Sequence, residues 1–137
     1  MENKAIEAIC SRRSIRKYKP QQISKVELET VLRAGVCAPS GRGQQSAIIV
    51  VVQDKDTIAL MSKLNARVWG SETDPFFAAP TVLVVLAEAS SPFAVQDGSL
   101  VMGNLMNAAS AIGLGSCWAN RAKEVFEMPE GKALLER

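Results

Sequence analysis

The hydrophobic positions of the chain alternate between helical spacing and short, continuous apolar runs. Helical spacing predicts a helix over residues 3–10 and a second helix from Ser24 to about Cys37. The second begins with the sequence SKVE, in which the serine and the glutamate can each satisfy a free backbone donor as a capping box. The apolar, β-branched runs SAIIVVVQ and PTVLVVLAEA predict two buried strands.

The remaining segments predict further helices and a layered fold. A helix from about Asp56 separates the two strands, which indicates helices covering a central sheet. The longest helix should run from about Gln96 to Ile112 and should be buried, because it is apolar over most of its circumference. Its small residues permit close helix approach, which makes it a candidate for the centre of the fold and for a subunit interface. We expect a short strand at SCWA, a helical turn or two at RAKEVFEM, and a further helix beginning at GKALLER.

Length and charge limit the classes of protein that remain. The 137 residues, 47% of them hydrophobic, predict one domain over residues 1–137 with a real core. The net charge of only +2 argues against a general nucleic-acid binder, because the whole surface of such a protein would be basic. The positive charge is local: 6 of the 16 lysines and arginines lie within the first 20 positions. No apolar run is long enough to span a membrane, so no membrane partner is expected.

The reactive residue types limit the chemistry. Three widely spaced cysteines, Cys10, Cys37 and Cys117, predict neither a disulfide framework nor a paired-cysteine metal site, and they favour a reducing cytoplasm. Histidine is absent, which removes the usual catalytic base and the commonest metal ligand. We therefore predict no metal site, and we expect any catalysis to be carried by a bound cofactor.

The basic segment SRRSIRKYKP is the first candidate site. In an extended conformation Arg12, Ser14 and Arg16 would project from one face, with Ile15 pointing towards the core. Forked guanidinium groups and a hydroxyl suit a phosphate. A solvated charge run at the end of the first helix is the competing interpretation and, for this segment alone, the more common one.

Two glycine-containing segments have similar alternatives. In APSGRGQQ the glycines would let backbone amides approach a ligand closely, but polar loops of this kind are usually plain surface connections. In GLGSCW the glycines are better explained as a helix stop and chain reversal than as a dinucleotide fingerprint. Cys117 is expected to be structural, and Trp69 and Trp118 are expected to be packing residues.

Five segments resemble, in their order and spacing, the nitroreductase family of flavin mononucleotide (FMN) enzymes, and the resemblance covers nearly the whole chain. They are RRSIRKY, APSGRGQQ, LNARVW with Asn65, PTVLVV and LMNAASAIGLGSCW. The resemblance implies an α+β fold: a central mixed, mostly antiparallel sheet flanked by helices and built as an intertwined homodimer. It also implies two equivalent FMN sites at the dimer interface, each contacted by both subunits.

The resemblance also implies roles for individual residues. Arg12, Ser14 and Arg16 would hold the phosphate, ribityl chain and pyrimidine edge of FMN, with Arg13 nearby. Asn65 would hydrogen-bond the polar edge of the flavin ring. The residues expected from the other subunit are Pro39, Ser40, Gly41 and Gln45, and the backbone of Ala119 and Asn120 would lie near the reactive ring nitrogen.

The implied reaction needs no catalytic side chain. NADH or NADPH would deliver hydride to FMN and leave, and a nitroaromatic, quinone or related small electron acceptor would then be reduced in the same pocket. Family members usually continue beyond the position that matches Arg137, so the phosphate site could be incomplete. That departure keeps open a non-catalytic flavin-binding or interaction protein on the same fold, and a basic arm that binds polyanions is the third hypothesis.

Overall fold

The structure, a computed structural model, describes residues 3–136. The first two residues and the last residue of the predicted domain, 1–137, therefore lie outside the described residues. The described residues form six helices and two strands. In chain order these are α1 (Lys4–Ser11), α2 (Lys25–Val36), β1 (Ile48–Val52), α3 (Lys55–Trp69), β2 (Val82–Leu86), α4 (Ala94–Ala111), α5 (Ala122–Glu127) and α6 (Pro129–Leu135). All the helices expected from the sequence are confirmed. Where the sequence predicted a first or last residue, the observed bound mostly lies within two residues of it.

The described residues group into two compact units. Unit 1 contains the residues up to Arg16, Ile23–Val50 and Leu83–Trp118, and unit 2 contains Lys17–Gln22, Val51–Val82 and the residues from Ala119 onwards. Helices α1, α2 and α4 belong to unit 1, and α3, α5 and α6 belong to unit 2. The single domain stays a prediction.

Unit 1 is built on the contact between α2 and α4. Val101, Leu105 and Ala109 of α4 repeat every fourth residue and are buried with Val31 of α2. A Cβ atom on Gly35 of α2 would lie 2.6 Å from Leu105 Cδ2, so this glycine permits the close approach. Of the small residues of α4, Ala109 is buried in this contact and Ala108 packs against it, whereas the space beside Gly103 is open.

Helix α4 is less enclosed than its composition predicts. Val95 is 78% exposed and Leu100 is 46% exposed, so only one face of the helix is buried.

The strands also differ from expectation. In β1, Ile48 and Val50 are exposed, and the strand is half-buried in alternation rather than fully buried. The two strands pair in a two-stranded sheet.

The start of α2 forms as the sequence predicts. Ser24 N–H donates to Glu27 Oε2 at 2.7 Å, and Glu27 N–H donates to Ser24 Oγ at 3.3 Å, which completes the capping box. The hydrogen bond from the Ser24 hydroxyl is the main cause that lowers the pKa of Glu27. Local hydrogen bonding therefore fixes this helix start.

In unit 2 the short helices α5 and α6 meet through their backbones. A Cβ atom on Gly131 would overlap the carbonyl oxygen of Val125, so only glycine fits there. Arg67 of α3 donates to Glu130 Oε1 of α6 at 2.9 Å. Within residues 3–136, no helix has both the length and the apolar character needed to cross a membrane.

Candidate functional site

The basic segment leaves α1 in an extended conformation, the one in which Arg12, Ser14 and Arg16 would share a face. Arg12 caps the C-terminus of α1, with its N–H donating to Ala8 O at 3.2 Å. Ser14 then forms an isolated parallel bridge with Ser116, and Ile15 N–H donates to Ser116 O at 3.0 Å. The expected strand at SCWA is therefore wrong: Ser116 forms this single bridge, and the rest of the segment forms no strand.

The position of Ile15 corrects a second expectation. Its side chain is 40% exposed and does not point into a core. It lies against Gly115 instead, where an added Cβ would be 3.0 Å from the Ile15 Cβ. Gly113, at φ 82°, ends α4 in the left-handed region. The GLG sequence thus combines the predicted helix stop with a close approach to the basic segment.

The arginines of the segment have different surroundings. The Arg13 guanidinium turns back on α1 and donates to Cys10 O at 2.9 Å and to Arg12 O at 2.8 Å. A cation at the C-terminal carbonyls of a helix is favoured by the helix dipole. Arg12 is half-buried, whereas Ser14 and Arg16 are exposed. The side chain of Arg13 therefore has a local structural role.

The glycine-rich loop, Pro39 to Gln45, is a tight turn with an unusual backbone. Its 3-10 helical turn covers Gly41–Gly43, and Arg42, Gly43 and Gln45 have φ of 56°, 65° and 50°. Gln45 N–H donates to Ser40 Oγ at 2.8 Å, which closes the turn. Left-handed backbone at two non-glycine residues persists only where other contacts hold it.

Two residues that the sequence analysis did not single out hold this loop. Asp97 of α4 is 2% exposed, and its Oδ1 accepts the Gly41 N–H at 2.8 Å. The ring of Phe93, which precedes α4, fills the space that a Cβ on Gly41 would occupy. Asp97 is the one charged residue within α4, and a lone carboxylate in an apolar helix was the signal that could have identified it.

In unit 2 the structure brings Asn65 and Asn120 together. Asn65 lies in α3 with 4% of its surface exposed, and its Nδ2 donates to Asn120 O at 2.8 Å. The Asn65 Oδ1 is buried and has no hydrogen-bond partner within the described chain. Asn120 Oδ1 accepts the N–H of Arg121, whose φ of 74° is left-handed. This places a fixed amide beside a sharp turn.

The tryptophans are more exposed than packing residues should be. Trp69 is 53% exposed and Trp118 is 46% exposed. The Arg121 guanidinium lies 4.7 Å from the centroid of the Trp69 ring, within the range of a cation–π contact. Arg121 also donates to Glu124 at 2.8 Å, and that hydrogen bond is the main cause that lowers the pKa of Glu124.

The predicted site residues are divided between the two units. Unit 1 carries the basic segment and the glycine-rich loop, and unit 2 carries Asn65, Ala119 and Asn120. Asn65 and Asn120 are joined by a hydrogen bond, and Arg12, Ser14 and Arg16 share one extended segment. Their roles toward a cofactor remain predictions.

Comparison with known proteins identifies the family. The model of the nitroreductase family matches residues 9–125. An Archaeoglobus fulgidus protein, provisionally named as an NADH dehydrogenase/NAD(P)H nitroreductase, is 34% identical over 115 residues. The match covers 82% of this chain and 65% of that protein. A Methanothermobacter thermautotrophicus protein of the same name is 31% identical, with 59% of its length covered. The chain thus spans less than two thirds of these curated relatives.

Solved structures agree with this assignment. A Bacteroides fragilis nitroreductase with bound FMN is similar at a TM-score of 0.91 and 29% identity, covering 98% of this chain and 79% of that one. An FMN-dependent nitroreductase of Clostridium difficile is 34% identical at a TM-score of 0.80, covering 99% and 71%. The α+β, nitroreductase-like fold class is confirmed by these structures and by the match to the family model, and the chain belongs to the nitroreductase family.

Proposed function

We propose that this chain is an FMN-dependent oxidoreductase that takes hydride from NADH or NADPH and reduces nitroaromatic, quinone or related small acceptors. Membership of the nitroreductase family and the FMN held by the Bacteroides fragilis protein support the proposal. The names of the curated relatives, which include NAD(P)H, support the choice of donor. The acceptor classes follow from the resemblance of the sequence to the family.

The observation that carries the proposal is the orphaned oxygen of Asn65. A buried acceptor without a donor costs about 1–3 kcal/mol, and Asn65 Oδ1 is such an acceptor. The pyrimidine edge of a flavin presents an N–H flanked by two carbonyl groups. That N–H is the donor that Asn65 Oδ1 lacks, so the residues of unit 2 fit the ring.

The basic segment fits the other end of the cofactor. Arg12 and Arg16 can neutralise a phosphate and donate forked hydrogen bonds to it, and the Ser14 hydroxyl adds a further donor. A guanidinium near the pyrimidine edge would favour the negative charge that develops there on reduction. The Arg13 side chain is bound to the carbonyls of Cys10 and Arg12, so this residue would contribute only through its backbone.

When bound, FMN would supply the hydride chemistry, so the protein itself needs no acid, base or nucleophile. The residues of this chain would bind and orient the cofactor. A chain without histidine is consistent with that division. We propose further that donor and acceptor use one pocket in turn, which gives ping-pong kinetics.

We propose a homodimer as the working form, with the glycine-rich loop serving the partner's site. Unit 1 exposes several large apolar side chains, which a second copy would cover. These are Ile6 at 59%, Ile9 at 53%, Val36 at 60% and Ile48 at 58%. Exposed apolar surface of this kind is typical of an interface.

The test is a visible absorption spectrum of the purified protein, repeated after anaerobic addition of NADH or NADPH. Flavin bands that bleach with either donor are expected. Bands that persist would overturn the catalytic proposal and favour a flavin-binding protein. A protein that stays colourless after added FMN is removed would overturn the cofactor itself.

A further inference from the structure

We propose that Phe93 and Asp97 are a positioning pair that fixes the conformation of the loop from Pro39 to Gln45 for cofactor binding. The proposal rests on the proposed function, because the loop matters to catalysis only if it contacts FMN. Neither residue would touch the reacting atoms. Both would act through the loop backbone.

The first contact is made by Asp97. Its Oδ1 accepts the Gly41 N–H at 2.8 Å, across 56 residues of sequence, and the side chain is 2% exposed. Its Oδ2 is buried and has no hydrogen-bond partner within residues 3–136. A hydrogen bond that is shielded from water is stronger than an exposed one, because no water competes for its donor or acceptor. The Asp97 side chain therefore holds Gly41 in place.

The second contact is made by Phe93. Its ring occupies the space into which a side chain at position 41 would project. The Arg42 guanidinium lies 5.9 Å from the centroid of the same ring. Phe93 and Asp97 are four residues apart at the start of α4, so they can reach the same loop together.

The loop needs such contacts because its backbone is unfavourable by itself. Arg42 and Gln45 both have positive φ, a conformation that side chains with a Cβ disfavour. The loop residues Pro39, Ser40 and Gln45 line a cavity of about 110 Å³, together with Asp97, Val36 and Val101. Packing beside the loop is therefore incomplete, and Asp97 and Phe93 contact its centre at Gly41.

The alternative is that Asp97 contributes only to general stability. Asn104 supplies a matched control, since it is also a polar residue of α4 that binds a distant backbone group. Its Nδ2 donates to Ala34 O of α2 at 3.0 Å, so its hydrogen bond is to α2 and not to a residue of the loop. Replacement of either residue should destabilise unit 1, but only Asp97 should affect the loop.

The experiment compares Asp97→Leu, Asp97→Asn and Asn104→Leu in the full chain. FMN affinity is measured by fluorescence titration of flavin-free protein, and exchange of the Gly41 amide is measured by NMR or mass spectrometry. For Asp97→Leu we expect about a tenfold weaker affinity and about tenfold faster exchange. Asp97→Asn keeps an acceptor oxygen and should stay within roughly threefold of the parent in both measurements. Asn104→Leu should also stay within roughly threefold.

Equal changes in Asp97→Leu and Asn104→Leu would overturn the proposal. If Asp97→Leu does not fold, Phe93→Leu replaces it, with the same expected loss of FMN affinity and of amide protection at the loop. Unchanged affinity and exchange in Phe93→Leu would then contradict the pair. A parent protein that binds no FMN would overturn the proposed function instead, and the exchange measurement alone would decide whether the pair holds the loop.

Discussion

Each of the two units buries one polar side chain against the backbone of a distant loop. Asn65 in unit 2 binds a carbonyl 55 residues away, and Asp97 in unit 1 binds an amide N–H 56 residues away. Within residues 3–136 they are the two buried polar or charged residues, and each keeps one oxygen without a hydrogen-bond partner. The difference lies in what each can donate or accept.

An amide can donate and accept, whereas a carboxylate only accepts. Asn65 therefore satisfies a carbonyl and still offers an oxygen, which suits a ligand that carries an N–H. Asp97 accepts the Gly41 N–H through Oδ1, which suits a role in holding backbone. The residue type at each position therefore matches the backbone group that it meets, a carbonyl for Asn65 and an N–H for Asp97.

The largest effect is expected when the side-chain amide of Asn65 is replaced by a carboxyl and the carboxyl of Asp97 by an amide. Asn65→Asp should lower the free energy of unfolding by about 4 kcal/mol near neutral pH, because an ionised carboxylate would face the Asn120 carbonyl. Asp97→Asn should cost less than about 1 kcal/mol, since Gly41 keeps its acceptor. Urea unfolding of both variants measures the difference.

The pH dependence of Asn65→Asp sharpens the same test. Burial raises the pKa of a carboxyl, and a protonated carboxyl can donate to the Asn120 carbonyl. The loss of stability should therefore be full above the raised pKa and should shrink as the pH falls through it. Equal losses for the two exchanges at every pH would contradict the distinction between the units.

The glycines at the helix contacts separate the units in another way. Gly131→Ala in unit 2 would push a methyl group into the Val125 carbonyl and should cost about 3 kcal/mol. Gly35→Ala in unit 1 meets the ends of Leu105 and Ile49, which can shift, and should cost about 1 kcal/mol. Thermal unfolding of both variants would show the order. A larger loss for Gly35→Ala would mean that the core of unit 1 is the more rigid.

Two neighbouring arginines of unit 1 test the cofactor side. Arg12→Ala should weaken FMN binding by about tenfold, with little effect on the melting temperature of the flavin-free protein, because a charge-assisted hydrogen bond to phosphate is lost. Arg13→Ala should mainly affect stability, because its guanidinium binds the carbonyls of Cys10 and Arg12 at the end of α1. Fluorescence titration and thermal melts distinguish them. Equal FMN affinity in Arg12→Ala and the parent would remove the phosphate role.

The smallest effect concerns Asp74, a partly exposed carboxylate of unit 2. Burial raises its pKa, but hydrogen bonds from Ser62 and from the N–H groups of Ala78 and Phe76 outweigh burial and lower it overall. Its contribution, about 1 kcal/mol, should be present above the unfolded pKa and lost as the pH falls through the folded pKa. The difference between the parent and Asp74→Leu in urea unfolding should shrink over that acidic range. A constant difference would contradict the assignment.

Much of the local structure could be predicted because its causes are local. The Ser24 capping box, the helical spacing of α2 and the stop at Gly113 all depend on residues within one turn of each other. The alternation of Arg12, Ser14 and Arg16 showed which residues would share a face of an extended segment, and the bridge of Ser14 to Ser116 shows that the segment is extended there. Family resemblance added Asn65, whose role no local pattern indicated.

The sequence by itself determined where helices begin and end, where the charge is concentrated, and which chemistry the missing histidine excludes. Tertiary structure alone decided that Asp97 and Phe93 hold the glycine-rich loop, that Ile15 lies against Gly115, and that Asn65 binds the Asn120 carbonyl. These contacts join residues about 50 to 100 positions apart. Spacing along the chain cannot reveal them, because they form only when packing brings separate elements into contact.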